Sequence, residues 1–290
     1  MIAAVVIGAW CAIGQDAPAA GGPLSVGAMT FNIRYGTGND GEHVWPNRRA
    51  LVVKVMAESG ADFIGLQEAM AFQIAELRDA LGEYSHYGRG RRADPQQDEA
   101  CPIFFRTERW RIDEERRGTF WLSDTPDEPG SMTWGNRYPR IVTYARFIEK
   151  ESGRAVWVYN THFDHESQPA RMNAARMIAR RIAERPGGEP FVLMGDFNAG
   201  EENEAIGYLT GAGDSPVRLA DTYRELMPDA EEVGTFNGFT DATTGEKIDY
   251  IFVDPTHWAV TGAAIHRDRY DGIWPSDHLP VSAVLVGSGR

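Results

Sequence analysis

Short polar clusters follow several apolar, strand-like runs of this sequence, and their side chains could perform chemistry. The clusters are Thr-Phe-Asn-Ile-Arg at 30–34, Leu-Gln-Glu at 66–68, Asn-Thr-His-Phe-Asp-His at 160–165, Gly-Asp-Phe-Asn at 195–198, Ile-Asp-Tyr at 248–250 and Ser-Asp-His at 276–278. Together they supply carboxylates for a hard cation, Asp and His groups for proton transfer, and amides that can contact a phosphoryl oxygen. The set predicts metal-assisted hydrolysis of a phosphate ester.

The two clearest carboxylates permit both a chemical and a structural interpretation. Glu68 ends a strand-like run, where it could hold Mg²⁺ or Mn²⁺ or simply favour the start of a following helix. Asp196 and Asn198 are two residues apart, a spacing that points both side chains the same way in an extended chain. Asp196 could accept a proton from water while Asn198 donates to a phosphoryl oxygen. The same residues would also suit an Asx turn after a strand.

A carboxylate–imidazole pair is expected near the end of the chain. Asp277 and His278 are adjacent and could project from one loop into a site, where a neighbouring charge would orient the imidazole or keep it charged. Asp249 stands at the start of a strand-like run, and a carboxylate that enters a core needs a partner such as a site histidine.

The cluster at 160–165 is more ambiguous. His162 ends a strand-like run and is expected to donate to a phosphate oxygen. His162, Asp164 and His165 lie close enough in sequence for a zinc site, but the further histidine that one such site requires is replaced by Asn160.

Composition indicates a globular protein that acts on small substrates. With 42% apolar and 24% charged residues, the 290-residue chain can bury a sizeable core. Its formal net charge of −13 argues against long duplex DNA as a partner, because DNA binding requires neutralisation of the phosphates. A phosphate-ester substrate is therefore the expected partner, and the oligomeric state is not indicated.

The first 22 residues are expected to form a leader. The apolar run at 2–14 is too short to span a bilayer comfortably and resembles the core of a secretory signal, although no Lys or Arg precedes it. We expect a secreted or periplasmic protein, with an uncleaved anchor as the alternative and no other membrane partner. Cleavage would leave Cys101 unpaired, and we expect a buried core thiol there.

Residues 23–290 are interpreted as one domain. Strands are expected at 26–34, 63–67, 103–106, 141–148, 155–161, 191–194, 248–253 and 281–286, and helices at 47–59, 69–81 and 169–185. This mixture lacks strict alternation of strand and helix, and it predicts an α/β fold of two packed mixed sheets with helices outside. The charged stretch at 106–117 is expected to be a solvated face.

Taken in order, the clusters resemble those of the endonuclease/exonuclease/phosphatase superfamily, the DNase I-like metal-dependent phosphoesterases, over residues 26–286. The resemblance implies a four-layer α/β sandwich, Mg²⁺ or Mn²⁺ as cofactor, and Asn32 and Glu68 at the metal. It also implies a catalytic and phosphate-binding set made up of Asn32, His162, Asp196, Asn198, Asp249, Asp277 and His278.

Two arginines give the resemblance its particular character. Arg34 stands where some nucleases of the family carry an acidic residue, which weakens the expectation of a second metal. Arg140, on the strand before His162, is a candidate phosphate contact, with a structural salt bridge as an equal alternative. The expected activity is phosphodiester hydrolysis by in-line attack of activated water. Alternatives are a phosphomonoesterase acting on a sugar or inositol phosphate, and a non-catalytic binding module.

Overall fold

The computed structural model describes residues 22–288, in which twelve strands form two six-stranded sheets. The strands are β1 (Ser25–Asn32), β2 (Phe63–Gln67), β3 (Tyr84–Tyr87), β4 (Ile103–Arg106), β5 (Trp110–Trp121), β6 (Ile141–Glu149), β7 (Ala155–His162), β8 (Phe191–Asp196), β9 (Ala220–Asp221), β10 (Asp249–Val253), β11 (Trp258–Ile265) and β12 (Val281–Gly287). The α-helices are α1 (Trp45–Ser59), α2 (Ala71–Ala80), α3 (Gln168–Ala183), α4 (Glu204–Leu209) and α5 (Thr222–Leu226). The expected leader lies outside the described residues, apart from Gly22.

Both sheets are mixed, as predicted. The first has the strand order β11-β12-β1-β2-β4-β3 and the second β5-β6-β7-β8-β10-β9. Strands β1 and β2 are parallel, as are β7 and β8, whereas β12 runs antiparallel to β1 and β10 antiparallel to β8. The carboxyl ends of four strands therefore meet the amino ends of β10 and β12 at one end of the molecule.

Three apolar layers hold the sandwich together. The sheets pack on each other through residues such as Phe63, Phe147 and Met194. Side chains alternate between the two faces of a strand, so the opposite face of the first sheet packs on α1 and α2. The opposite face of the second sheet packs on α3 and α4. This helix–sheet–sheet–helix arrangement confirms the predicted four layers.

Most predicted elements are present, with some different limits. Strands β2 and β4 have the predicted bounds, whereas β1 ends at Asn32 rather than at residue 34. The sequence patterns missed β3, β5, β9, β11, α4 and α5. Strand β5 was missed because it is an edge strand whose charged residues Glu114, Glu115 and Arg116 are exposed, so the predicted solvated face is correct but belongs to a strand.

Two further expectations concern burial and membranes. Cys101 is buried, and burial raises the pKa of its thiol to about 12, which confirms an unreactive core thiol. Within residues 22–288, no helix combines the length and the apolar character that crossing a bilayer requires.

Candidate active site

The strand topology gathers the predicted site residues at one end of the sandwich. Asn32 ends β1, Glu68 follows β2, and His162 and Asp196 end the paired strands β7 and β8. Asp249 begins β10. Asp277 and His278 lie in the loop before β12, which belongs to the first sheet. The residues that the structure brings to a common cleft or its floor are Asn32, Glu68, Arg140, His162, Asp196, Asn198, Asp249, Asp277 and His278.

Gly195 lets β7 and β8 approach closely just before these side chains. A Cβ atom at this position would lie 2.2 Å from the backbone oxygen of Thr161, so no larger residue fits without moving a strand. The neighbouring residues His162 and Asp196 are register partners, and the imidazole Nε2 lies 3.5 Å from Asp196 Oδ2.

Asn32 is the central connection between the two sheets. Its fully buried amide nitrogen donates to Glu68 Oε1 and to Asp196 Oδ2, each at 3.0 Å, and lies 3.4 Å from His278 Nε2. Its oxygen accepts a hydrogen bond from the backbone N–H of Arg34 at 3.0 Å. One amide therefore links two carboxylates beside the imidazole of His278.

Glu68 is held in an unusual backbone conformation. Its φ of 57° places it in the left-handed region that few residues other than glycine adopt. The turn directs its carboxylate to Asn32 and to the backbone N–H of Tyr35, which lies 3.1 Å from Oε2. Helix α2 begins only at Ala71 and has no acidic residue in its first turn, so stabilisation of a helix start does not explain Glu68.

His278 and Asp249 form a buried pair. Asp249 Oδ2 lies 2.9 Å from Nδ1 of the imidazole, and both side chains are almost inaccessible. Burial disfavours the charged imidazole, but Asp249 and Asp196 outweigh it and raise the pKa of His278 well above its usual value. The imidazole is thus held protonated, with Nε2 3.8 Å from Asp196 Oδ2.

Asp196 is placed to exchange a proton near neutral pH. Burial and the neighbouring charge of Asp249 raise the pKa of its carboxyl to about 7. Its Oδ1 accepts the backbone N–H of Asn198 at 2.9 Å, and Asn198 has a φ of 45°. The two residues therefore face one cleft through an Asx turn, not through the extended chain that the spacing suggested. The Asn198 amide nitrogen also donates to the backbone oxygen of Phe163 at 3.1 Å.

His162 differs from His278 in its charge state. Burial, together with the positive charge of Arg140, holds the pKa of His162 well below its usual value, so the imidazole is neutral. Its Nδ1 lies 3.9 Å from Glu99 Oε2, and burial raises the pKa of Glu99 to about 7. Two histidines in one site thus have opposite tendencies to ionise.

Asp277 does not contact the imidazole of His278 that follows it. Its carboxylate lies 3.6 Å from a guanidinium nitrogen of Arg34 and accepts a hydrogen bond from Ser276 at 3.2 Å. Burial raises the pKa of Asp277. Asp249, rather than Asp277, therefore orients the His278 imidazole.

The donor set fits a hard divalent cation. Glu68, Asp196 and Asp277 bring carboxylate oxygens to the same cleft, which is the ligand type that Mg²⁺ and Mn²⁺ prefer. Asp196, Asp249 and His278 also have ligand atoms within 4.8 Å of one another. We favour the oxygen set near Glu68, because a protonated imidazole that is already bonded to Asp249 cannot act as a ligand.

Among the described residues, the ligand atoms of His162, Asp164 and His165 do not form a cluster that could hold a metal ion. Asp164 Oδ1 accepts the backbone N–H groups of Glu166 and Ser167, at 3.0 and 2.7 Å. Asn160 donates to backbone oxygens of Leu66 and Pro102 at 2.8 and 2.9 Å. Both side chains therefore serve the fold.

Arg140 forms the predicted structural ion pair and also lines the cleft. It lines the cleft, yet it is 4% exposed, and it lies 2.8 Å from His165 Nδ1 and 3.7 Å from Asp164 Oδ2. The structural ion pair is therefore present beside a location that a phosphate could reach.

Arg48 was not found by sequence reasoning, although it supports the site. This fully buried side chain from α1 donates to the backbone oxygens of His43, Ile33, Arg34 and Pro275. Three of the acceptors, Ile33, Arg34 and Pro275, belong to the segments that carry Asn32 and His278. Burial lowers the pKa of Arg48 to about 10, which leaves it charged at neutral pH. Only the pairing of distant segments reveals this role, so no local pattern could have indicated it.

The cleft has a volume of about 620 Å³, and its rim includes residues that were not predicted. Tyr138 and His165 lie on one side, and Phe236, with 50% of its surface exposed, lies on another, 5.0 Å from the His278 ring centre. Arg91, from the basic stretch at 89–92, also lines the cleft. These residues fall in irregular segments, where periodicity gives no signal.

Comparisons with known proteins identify the family of this chain. A family profile described as the Endonuclease/Exonuclease/phosphatase family matches residues 29–278. The chain is similar to an endonuclease/exonuclease/phosphatase from Bacteroides vulgatus, with 33% identity, a TM-score of 0.82, and coverage of 90% of this chain and 98% of that one. It is also similar to a mannosyl-6-phosphatase from Bacteroides thetaiotaomicron, with 30% identity, a TM-score of 0.81, and coverage of 90% and 99%.

A more distant similarity involves a longer protein. Nocturnin from Drosophila melanogaster is 26% identical over 278 residues, which cover 81% of this chain and only 41% of that protein.

Proposed function

Because the chain belongs to the endonuclease/exonuclease/phosphatase family, we propose that it hydrolyses small phosphate esters with the help of Mg²⁺ or Mn²⁺. The observation that carries this proposal is the convergence of Glu68, Asp196 and His278 on the amide of Asn32. This arrangement joins an oxygen ligand, a proton acceptor and a protonated donor within reach of one phosphate group.

The proposed cation would be held by Glu68 and Asn32, with the neighbouring carboxylates of the cleft adding negative charge. When bound, a divalent cation polarises a phosphoryl oxygen and stabilises the negative charge that develops on it. Asn32 already accepts one hydrogen bond through its oxygen, and the second lone pair of that oxygen remains for a ligand bond.

Asp196 is proposed to orient and deprotonate the attacking water. A base works best when its pKa lies near the working pH, and the pKa of Asp196 is about 7. Asn32 and the Asn198 backbone hold both carboxylate oxygens in place. Water then attacks phosphorus in line with the leaving oxygen, which inverts phosphorus and forms no covalent enzyme intermediate.

His278 is proposed to stabilise the reacting phosphate through Nε2, since Asp249 occupies Nδ1. A preorganised donor of this kind acts where charge develops in the transition state. His162, Asn198 and Arg140 are proposed as further phosphate contacts.

Phosphomonoesters of sugars are the substrate class that we favour. The similarity to a mannosyl-6-phosphatase at 30% identity supports this class, as does a cleft of about 620 Å³, a size typical of small-molecule sites. Phosphodiester hydrolysis, the main prediction from the sequence, is the second candidate. Phe236 lines the cleft and is 50% exposed, so a second ester group could pack against it.

Hydrolysis of mannose 6-phosphate, phenyl phosphate and bis(p-nitrophenyl) phosphate in Mg²⁺, Mn²⁺ or EDTA tests the proposal. We expect metal-dependent release of phosphate, abolished by EDTA and lowered at least about 10²-fold in Asp196→Asn. Asp127→Asn is the matched control, because the Asp127 side chain is 93% exposed. A preference for the diester would select the second candidate. Metal-bound protein that hydrolyses none of the esters would instead favour a binding module.

A further inference from the structure

One side of the cleft is formed by residues to which the hydrolytic steps above assign no role. Tyr138 and His165 line it together. Their rings are stacked, with centres 6.3 Å apart and planes inclined by 21°. We call this pair the Tyr138–His165 wall.

A buried arginine determines which nitrogen of His165 carries the proton. Arg140 NH2 lies 2.8 Å from His165 Nδ1. A guanidinium has only donors, so Nδ1 must accept, and the proton of a neutral imidazole must reside on Nε2. Arg140 is 4% exposed and is itself held beside Asp164. The imidazole is therefore fixed as a donor by a group that cannot move away into solvent.

The Nε2–H of His165 is available to a ligand. The His165 side chain is 43% exposed, and Nε2 lies 3.4 Å from Glu166 Oε1, whose side chain is 55% exposed. A contact between two solvent-exposed groups is weak and readily exchanged. A substrate oxygen can replace it at little cost.

A second buried arginine supports Tyr138. The Arg91 guanidinium lies 4.9 Å from the centre of the Tyr138 ring and forms two hydrogen bonds of 2.9 Å with Glu99. Arg91 is 5% exposed. Both members of the wall are thus positioned by buried, charged groups, which is more support than a rim residue needs for packing alone.

We propose that the Tyr138–His165 wall recognises the leaving group, and that this group is a hydroxylated sugar ring. The ring would pack against Tyr138, and a hydroxyl oxygen would accept from His165 Nε2–H. This inference rests on the proposed function, because it concerns the alcohol part of an ester whose phosphate group would bind near Asp196. Free sugar phosphates and nucleotides both carry such a ring.

The test compares substrates with and without hydroxyl groups. The ratio of kcat/KM for a phosphorylated sugar to kcat/KM for phenyl phosphate is measured for wild type and His165→Phe, which keeps a ring but removes the donor. We expect the ratio to fall about tenfold or more, the effect of one lost hydrogen bond. Mannose 6-phosphate and adenosine 5′-monophosphate serve as the two sugar substrates, and the better one identifies the source of the ring.

Controls separate recognition from folding and from the proposed function. His165→Asn, which retains an N–H donor, is expected to recover part of the ratio, and His257→Phe, at a distant surface histidine, is expected to preserve it. An unchanged ratio in a folded His165→Phe protein would overturn the inference, as would wild-type turnover of phenyl phosphate alone. A wild-type protein inert towards every ester would overturn the proposed function itself.

An independent readout follows the proton directly. The ¹⁵N spectrum of the His165 ring is expected to show a proton on Nε2 and none on Nδ1, and Arg140→Met is expected to allow a measurable fraction of protonated Nδ1. A proton on Nδ1 in the wild-type protein would contradict the role of Arg140 as a positioning residue.

Discussion

Replacing Arg48 by Met should impair turnover as well as stability, although Arg48 lies outside the cleft. Its guanidinium donates to backbone oxygens on both segments that carry site residues, including Arg34 and Pro275 at 3.0 and 3.1 Å. Met preserves much of the side-chain volume but leaves these oxygens unsatisfied. Asn32 and His278 would then lose their fixed separation.

The expected magnitude follows from the lost hydrogen bonds. A hydrogen bond from a charged donor contributes about 1.5–3 kcal/mol, and the individual values are not additive. We therefore expect the free energy of unfolding to fall by about 3–5 kcal/mol, which corresponds to a decrease in Tm of roughly 6–10 °C for a chain of this size. A displacement of about 1 Å between reacting groups can lower kcat by roughly 10²-fold.

Arg109→Met provides a matched comparison. Arg109 also binds through a branched set of hydrogen bonds, to Asp62, Glu149 and the backbone oxygen of Ser25, but at the opposite end of β1. Both variants are assayed for kcat and for thermal unfolding, well below their Tm. Arg109→Met should lose stability and retain kcat. Equal losses of kcat in the two variants, or a normal kcat in Arg48→Met, would refute the reasoning.

Three further predictions concern charge and packing. Asp249→Asn should lower the pKa of His278 and move the alkaline loss of kcat to lower pH; an unchanged pH–kcat profile would count against the pair. The pKa values of Glu189 and Glu201 are lowered, the first by Arg146 and the second by Arg224, so their stabilisation is present above the unfolded value near about 4.3 and is lost as pH falls through the folded values. Urea unfolding at pH 3–6 should therefore show a smaller acid-induced loss of stability in the Glu189→Gln/Glu201→Gln double variant than in wild type, because the carboxyls of Asp196 and Glu99, whose pKa values are raised, titrate alike in both, and identical profiles would contradict this. Asn160→Ala should remove three buried hydrogen bonds between the sheets and lower the free energy of unfolding by about 2–4 kcal/mol, which calorimetry would detect and an unaltered Tm would exclude.

The sequence predicts the residues at strand ends well. Asn32, Glu68, Asp196 and Asp249 each adjoin an apolar run, and parallel and antiparallel pairing brings such ends together. The chemical type of a residue and its position along a strand are both local properties, so they can be recognised from the sequence before the fold is known. The four layers follow from the same alternation of buried and polar positions.

The remaining features depend on contacts between distant segments. Arg48 and His165 are recognisable only when their partners are known, since those partners lie up to 227 residues away along the chain. The left-handed turns at Glu68 and Asn198 likewise depend on the hydrogen bonds that hold them. Strand β5 escaped prediction because its charged residues face solvent at a sheet edge.

The central claim is that a water molecule attacks phosphorus at the site organised by Asn32 and Asp196. The most direct measurement is hydrolysis of mannose 6-phosphate in H₂¹⁸O with Mg²⁺ or Mn²⁺, followed by mass spectrometry of both products. One solvent-derived ¹⁸O atom in inorganic phosphate and none at the C6 hydroxyl of mannose is the predicted result, because the anomeric oxygen of mannose exchanges with water by itself. Label at the C6 hydroxyl, or no metal-dependent hydrolysis of any phosphate ester, would contradict the account.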